Sequence, residues 1–148
     1  MLASLEHRVL KFLCRICFPF TRFAIFVVYF WFGVLKLVGL SPAEALVKQL
    51  WSQTIPFIPF HGFEIFFGLY EMAIGIIFLL PGKERIALYL LIPHMIMTFG
   101  PLVLLPDFTW KSFMVPSLSG SYILKNLTII ALAIAIAANA GGFQKQKA

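Results

Sequence analysis

Four stretches of nearly unbroken apolar residues, each about 20 long, constrain this chain more than any other feature. They run over about 21–40, 61–81, 86–105 and 122–140. A helix of that length spans roughly 30 Å of hydrocarbon. In lipid every backbone N–H and C=O must be satisfied internally, which leaves helices or a closed barrel. Barrel strands are shorter and alternate in polarity, so these continuous runs exclude one. The expected fold class is all-α: a polytopic membrane protein built as a four-transmembrane-helix bundle over 21–140. Composition agrees, because only 12% of the residues are charged and 61% are hydrophobic. A soluble domain carries about 25% charged residues. Lipid is therefore the expected solvent for much of this surface.

Two segments outside the spans read as interfacial helices. Within residues 1–20, Arg8, Lys11 and Arg15 share one helical face and Leu5, Val9, Phe12 and Ile16 the other. That pattern predicts an amphipathic helix lying in the membrane plane against anionic headgroups, ended by Pro19. The basic run resembles the start of a signal peptide. The apolar stretch after it is long, rich in Phe and Tyr, and followed by no small-x-small site, so it reads as a retained span. Beyond that span, Ser41 is the expected N-cap, Pro42 the first helical residue and Glu44 the partner in a capping box. Leu46, Val47, Leu50 and Trp51 then form an apolar stripe, giving a short outer interfacial helix. Residues 141–148 form a tail with Lys145 and Lys147.

The net charge of +6 is dispersed among apolar segments and not gathered on one soluble face. It reads as positive-inside bias and not as a nucleic-acid surface. Basic residues concentrate in the N-terminal segment, in the second link (Lys83, Arg85) and in the tail. Both termini are expected in the cytoplasm, as in a bacterial inner membrane.

Ionisable groups at membrane depth are costly, so they mark candidate sites. Along the helices, Lys36, Glu64 and Lys125 fall about 5–6 Å below the outer ends, with Asn126 beside Lys125. Glu71 and His94 fall about 15 Å deep, and Thr98 about 10 Å. Two tiers are expected: Lys36, Glu64 and Lys125 outside, Glu71 and His94 at the midplane. Glu64, Gly68, Glu71 and Gly75 share one face of the second span, where glycines admit a neighbouring helix. Tyr29 shares a face with Arg22 and Lys36. Lys125, Thr128, Ala131 and Ala135 make the expected packing flank of the fourth span. The bland alternatives are lysines snorkelling to the interface and Lys–Glu pairs that only fix register.

Cys14 and Cys17 are spaced C-x-x-C. They serve either as a redox pair, which needs a helix N-terminus to activate a thiol, or as lipid-facing residues with no chemistry. No nucleophilic triad, phosphate-binding loop or metal-ligand cluster is visible in the sequence.

The chain resembles the DoxX-like family of small four-helix membrane proteins. The resemblance rests on Phe30-Trp31-Phe32-Gly33-Val34-Leu35-Lys36, Gly62-Phe63-Glu64-Ile65 with Gly68, Met97-Thr98-Phe99-Gly100-Pro101-Leu102, and Pro116-Ser117-Leu118-Ser119-Gly120-Ser121-Tyr122-Ile123-Leu124-Lys125-Asn126. It covers nearly all of residues 22–138. Ser119 and Ser121 depart from the family pattern, which often has an acidic residue and a glutamine there. The resemblance implies the four-helix bundle, points to Lys36, Glu64, Lys125 and Asn126, and links the chain to thiosulfate or quinone oxidation, oxidative-stress complexes or membrane-protein assembly.

The leading expectation is binding of a small amphipathic or anionic molecule, a quinone being the favoured cofactor. Lys36, Lys125, Glu64 and Tyr29 or Tyr122 would hold its head near the outer leaflet and Phe-rich helices its tail, with Asn126 and Thr98 further candidates and Glu71 and His94 expected as a buried pair or a proton-handling group. Whether turnover occurs, as in a quinone-linked oxidoreductase system, is left open. A rival is a non-catalytic scaffold for other membrane proteins. The third is a small oligomeric transporter, in which Pro93 and Pro101 break the third span.

Overall fold

The computed structural model describes residues 2–140. The expected tail with Lys145 and Lys147 lies outside the described residues. Nearly all of the described chain is helical: α1 (Leu2–Leu37), α2 (Glu44–Thr54), α3 (Phe60–Leu79), α4 (Glu84–Phe99), two single turns α5 (Pro101–Leu104) and α6 (Pro106–Thr109), a two-stranded hairpin of β1 (Trp110–Ser112) and β2 (Val115–Pro116), and α7 (Leu118–Ala140). Four helical segments are long and apolar enough to cross a membrane: Leu5–Leu37, Phe60–Leu79, Glu84–Leu104 and Leu118–Asn139. The chain is an integral four-helix membrane protein, as its apolar stretches predict.

The spans alternate in direction. Arg22 lies beside Phe78 and Leu80, Gly75 beside Phe26 and Tyr29, and Gly68 beside Gly33. One end of the bundle therefore carries α2, α6 and the β-hairpin; it is called the hairpin end below. The other carries the tight turn Pro81-Gly82-Lys83, where Gly82 adopts φ +83°; it is called the turn end.

The closest packing is between α1 and α3. A Cβ on Gly33 would stand 2.6 Å from the Gly68 carbonyl oxygen, and one on Gly68 would stand 2.9 Å from that of Gly33. Only hydrogens fit there, so the two backbones touch. Around this seam Ile25, Tyr29, Ile74 and Phe78 pack with Ala87, Leu91 and Met95 of α4 and Ile129, Ala133 and Ile136 of α7. Much of the remaining apolar surface faces outward, as lipid contact requires.

Four local expectations need correction. Pro19 does not end the N-terminal helix: α1 runs unbroken for 36 residues, about 54 Å. Proline forfeits one N–H and crowds the carbonyl four residues before it, a cost the packed remainder of α1 overrides. Ser41 does not cap α2, which starts at Glu44 behind Ala43 without a side-chain cap. Pro93 does not break the third span; the interruption comes at Gly100–Pro101. On α7 the buried stripe is Ile123, Ile129, Ala133 and Ile136, while Lys125, Thr128, Ala131 and Ala135 are exposed.

Candidate functional site

Polar side chains from three helices meet inside the bundle. Lys36 Nζ donates to Glu71 Oε2 at 2.6 Å. The other carboxylate oxygen, Oε1, lies 3.1 Å from His94 Nε2. On the far side of the imidazole, Nδ1 lies 3.2 Å from the Tyr29 hydroxyl and 3.3 Å from Thr98 Oγ1. Tyr29, Lys36, Glu71 and His94 are all buried. Thr98 is half-buried and donates its hydroxyl hydrogen to the His94 carbonyl at 2.8 Å.

Lys36 and Glu71 belong to different expected tiers, and side-chain direction explains why they meet. Every helical Cα–Cβ bond tilts toward its own N-terminus. Lys36 on α1 therefore leans toward the turn end, and Glu71 on the antiparallel α3 leans toward the hairpin end. Lys36 Cβ sits against Gly68, one turn from Glu71. The two tiers thus collapse into one buried line. Depth counted along the axes misses this, because it places Cα atoms and not charges.

One tautomer of His94 gives every group in the line a partner. With Thr98 donating to a carbonyl, Tyr29 O–H is left to donate to Nδ1. Nε2 then carries the ring hydrogen and donates to Glu71 Oε1. If the ring gains a proton, Nδ1–H can donate to the Tyr29 or Thr98 oxygen instead. Both charge states of His94 keep hydrogen-bond partners, which is what a proton-handling imidazole requires. Phe67 seals the group: its ring stacks on His94 at 5.1 Å and lies 5.5 Å beneath Lys36 Nζ.

Other expected site residues lie apart from this line. Lys125 is exposed and sits over the Tyr122 ring at 5.0 Å. Asn126 Nδ2 reaches only the Tyr122 carbonyl at 3.4 Å. Lys125 does not join Lys36 and Glu64 in an outer tier. Glu64 is buried on α3 and makes no side-chain hydrogen bond or ion pair among the described residues. Cys14 and Cys17 are free and exposed in the middle of α1. Neither stands at the helix N-terminus that the redox reading invokes.

Two polar devices escape the sequence reading. At the turn end, the Arg22 guanidinium pairs with Glu84 and also donates to the Phe78 carbonyl at 3.0 Å. Glu84 accepts the Gly82 N–H at 2.9 Å as well. The clamp ties α1 to the end of α3 and the start of α4. Its signal was an acid flanked by Lys83 and Arg85 at a helix start, where the dipole favours a carboxylate. At the hairpin end, Gln49, Gln53 and Asp107 help line a half-open cleft of about 110 Å³. That volume is below the roughly 300 Å³ of the smallest ordinary ligand pockets.

Compared with protein-family models, curated protein sequences and solved structures, the chain matches none.

Proposed function

We propose that this membrane protein binds a small amphipathic molecule, quinone-like and redox-linked, and manages its proton through the Tyr29–His94–Glu71–Lys36 line. The observation that carries the reading is the double engagement of Glu71, with Lys36 on one oxygen and His94 on the other. As a mere fastener such a group is a poor choice, because a buried ion pair is often no more stabilising than well-packed apolar residues. An imidazole bridging a carboxylate and a phenol is suited to passing a proton in a site closed to water. The resemblance to the DoxX-like family belongs to this reading. So does a bacterial inner membrane with cytoplasmic termini, supported by Arg8, Lys11, Arg15, Lys83 and Arg85 gathering toward the turn end.

The test uses the full chain in nanodiscs. Bound small molecules are extracted and identified by mass spectrometry, and decylquinone is titrated while thermal unfolding is followed. A co-purifying amphipathic molecule, or a saturable rise in Tm that His94→Gln removes, supports the proposal. Wild-type protein that carries no such molecule and gains no stability overturns it and leaves the buried line as a register lock.

A second reading, a non-catalytic partner of other membrane proteins, draws on one observation. The N-terminal part of α1 is continuous with the span and exposes both its basic and apolar faces, Phe12 at 59% among them. Capture of a defined partner that survives His94→Gln but is lost on deleting residues 2–18 would favour this reading.

A further inference from the structure

The β-hairpin sits where two spans end and is tied to both. Trp110 Nε1 donates to the Leu102 carbonyl at 3.0 Å, and Thr109 Oγ1 to the Leu105 carbonyl at 3.0 Å. The Ser117 N–H closes the base on the Thr109 carbonyl at 2.8 Å. Leu102 lies inside the third span, which reaches Leu104, and the fourth span begins at Leu118, just beyond β2. The base of the hairpin is therefore level with the ends of both spans. From Trp110 to Phe113 a strand advances about 10 Å, at roughly 3.3 Å per residue. The headgroup zone outside the hydrocarbon is roughly 5–8 Å thick. Whichever way the hairpin leans, its tip stays at or close to the headgroups of that leaflet.

The tip is apolar. Phe113 is 93% exposed and Met114 74%, with Val115 exposed beside them. Met114 also takes φ +59°, a left-handed conformation in which glycine or asparagine is the ordinary hairpin residue. Glycine would serve the turn better, so the methionine side chain stands there at a conformational cost. Lys111 and Ser112 are exposed next to the tip. The apolar surface continues onto the spans, where Val103 and Leu104 end the third and Leu118 opens the fourth, all three exposed. Those residues belong to the surface that meets lipid.

Area decides what covers the tip. Three side chains fall far short of the roughly 800 Å² that each partner contributes to a stable protein interface. A leaflet sets no such minimum: an aromatic ring gains by leaving water at the headgroup level, and a lysine beside it reaches the phosphates. Continuity with the lipid-facing ends of two spans offers the tip the same solvent.

We propose that the Phe113–Met114 tip is a lipid anchor, inserted at the boundary between headgroups and acyl chains at the hairpin end, with Lys111 at the phosphates. Its partner is the phospholipid leaflet, and it stands independently of the ligand proposed for the buried line. Through Thr109 and Ser117 it would hold the α6–α7 junction at a fixed depth.

The full chain carrying Cys14→Ser, Cys17→Ser and Ser112→Cys is labelled with bimane and placed in phosphatidylcholine nanodiscs. Quenching is read with doxyl groups carried near the headgroup end of the lipid chains and, separately, with iodide in the water. Doxyl lipid should quench strongly and iodide weakly. Adding Phe113→Ser should lower doxyl quenching about twofold or more and open the label to iodide, since a phenylalanine taken from water favours insertion about tenfold. Met114→Gly keeps Phe113 and relaxes the turn, so it should lower doxyl quenching in part with Tm unchanged or higher. Phe113 touches little of the bundle, so Phe113→Ser should leave Tm in place. A label open to iodide and untouched by doxyl lipid, with Phe113 and Met114 present, overturns the anchor. A label shielded from both quenchers also overturns it, because protein would then cover the tip. Doxyl quenching that persists unchanged in Phe113→Ser overturns it as well.

Discussion

Lys36 and Glu71 lie 35 positions apart and meet at 2.6 Å because antiparallel helices aim their side chains at each other. Their contact is buried on both sides, at 5% and 8% side-chain exposure. Removing one member breaks the ion pair, whereas removing both takes out both partners and leaves only His94 Nε2 without its acceptor. Lys36→Met and Glu71→Met should each destabilise the bundle by about 3–5 kcal/mol. The double variant should recover part of that loss, giving a coupling of at least about 1 kcal/mol, with the orphaned His94 Nε2 keeping the rest. A double-mutant cycle by reversible unfolding in mixed micelles measures it. Additive losses would show that the two side chains act independently.

The glycines of α1 and α3 should divide sharply by position. A Cβ at Gly68 meets the Gly33 carbonyl at 2.9 Å, and one at Gly33 meets that of Gly68 at 2.6 Å, so no side-chain movement relieves either. Gly33→Ala and Gly68→Ala should push the helices apart and cost about 1–3 kcal/mol each. Gly62, in the first turn of α3, has nothing within 4 Å. Gly62→Ala should be neutral or stabilising by up to about 1 kcal/mol, the propensity difference. Thermal unfolding of the three variants side by side checks the contrast.

Much of this architecture is legible in the sequence because lipid imposes length and polarity on each span. The inward face of α3 is legible too: Glu64, Gly68, Glu71 and Gly75 are all buried, as their spacing predicts. The pairing of charges is less so. Lys36 stands on the expected level of Glu64, yet bonds a residue one turn past the glycine opposite it, and only the Cα–Cβ direction reveals that. Lys125 lies at a matching depth, but α7 turns Ile123, Ile129 and Ile136 inward, so Lys125 faces outward. The β-hairpin, two and three residues long, is too short to leave a periodic signal.

Arg22 and Glu84 should matter to the turn end more than their place near the helix termini implies. The guanidinium neutralises Glu84 while donating to the Phe78 carbonyl, one of the acceptors that α3 leaves open at its C-terminus. Arg22→Met would strip both, and should cost about 2–4 kcal/mol, since the pair is largely sheltered from solvent. Arg22→Lys should restore only part, because an ammonium lacks the fork that reaches carboxylate and carbonyl together. Hydrogen exchange read by mass spectrometry should show the Leu80–Lys83 turn opening first in Arg22→Met. Exchange spread evenly over the bundle would place the role of Arg22 elsewhere.

The start of α7 rests on Ser117 and Gly120, and each should fail in its own way. Ser117 occupies the cap position: its Oγ accepts the Gly120 N–H at 3.1 Å and donates to the Phe108 carbonyl at 2.7 Å. Its own N–H donates to the Thr109 carbonyl at 2.8 Å, which closes the base of the hairpin. Ser117→Ala should therefore lose one cap, about 0.5–2 kcal/mol, and leave the backbone in place. Gly120 is different in kind. A Cβ there would stand 2.1 Å from that same Thr109 carbonyl oxygen, and Thr109 is itself fully buried. Gly120→Ala must displace α6 or unwind the first turn of α7, so it should cost about 3 kcal/mol or more, beyond ordinary overpacking. Limited proteolysis between α6 and α7 separates the two outcomes, with Ser117→Ala remaining resistant and Gly120→Ala becoming cleavable.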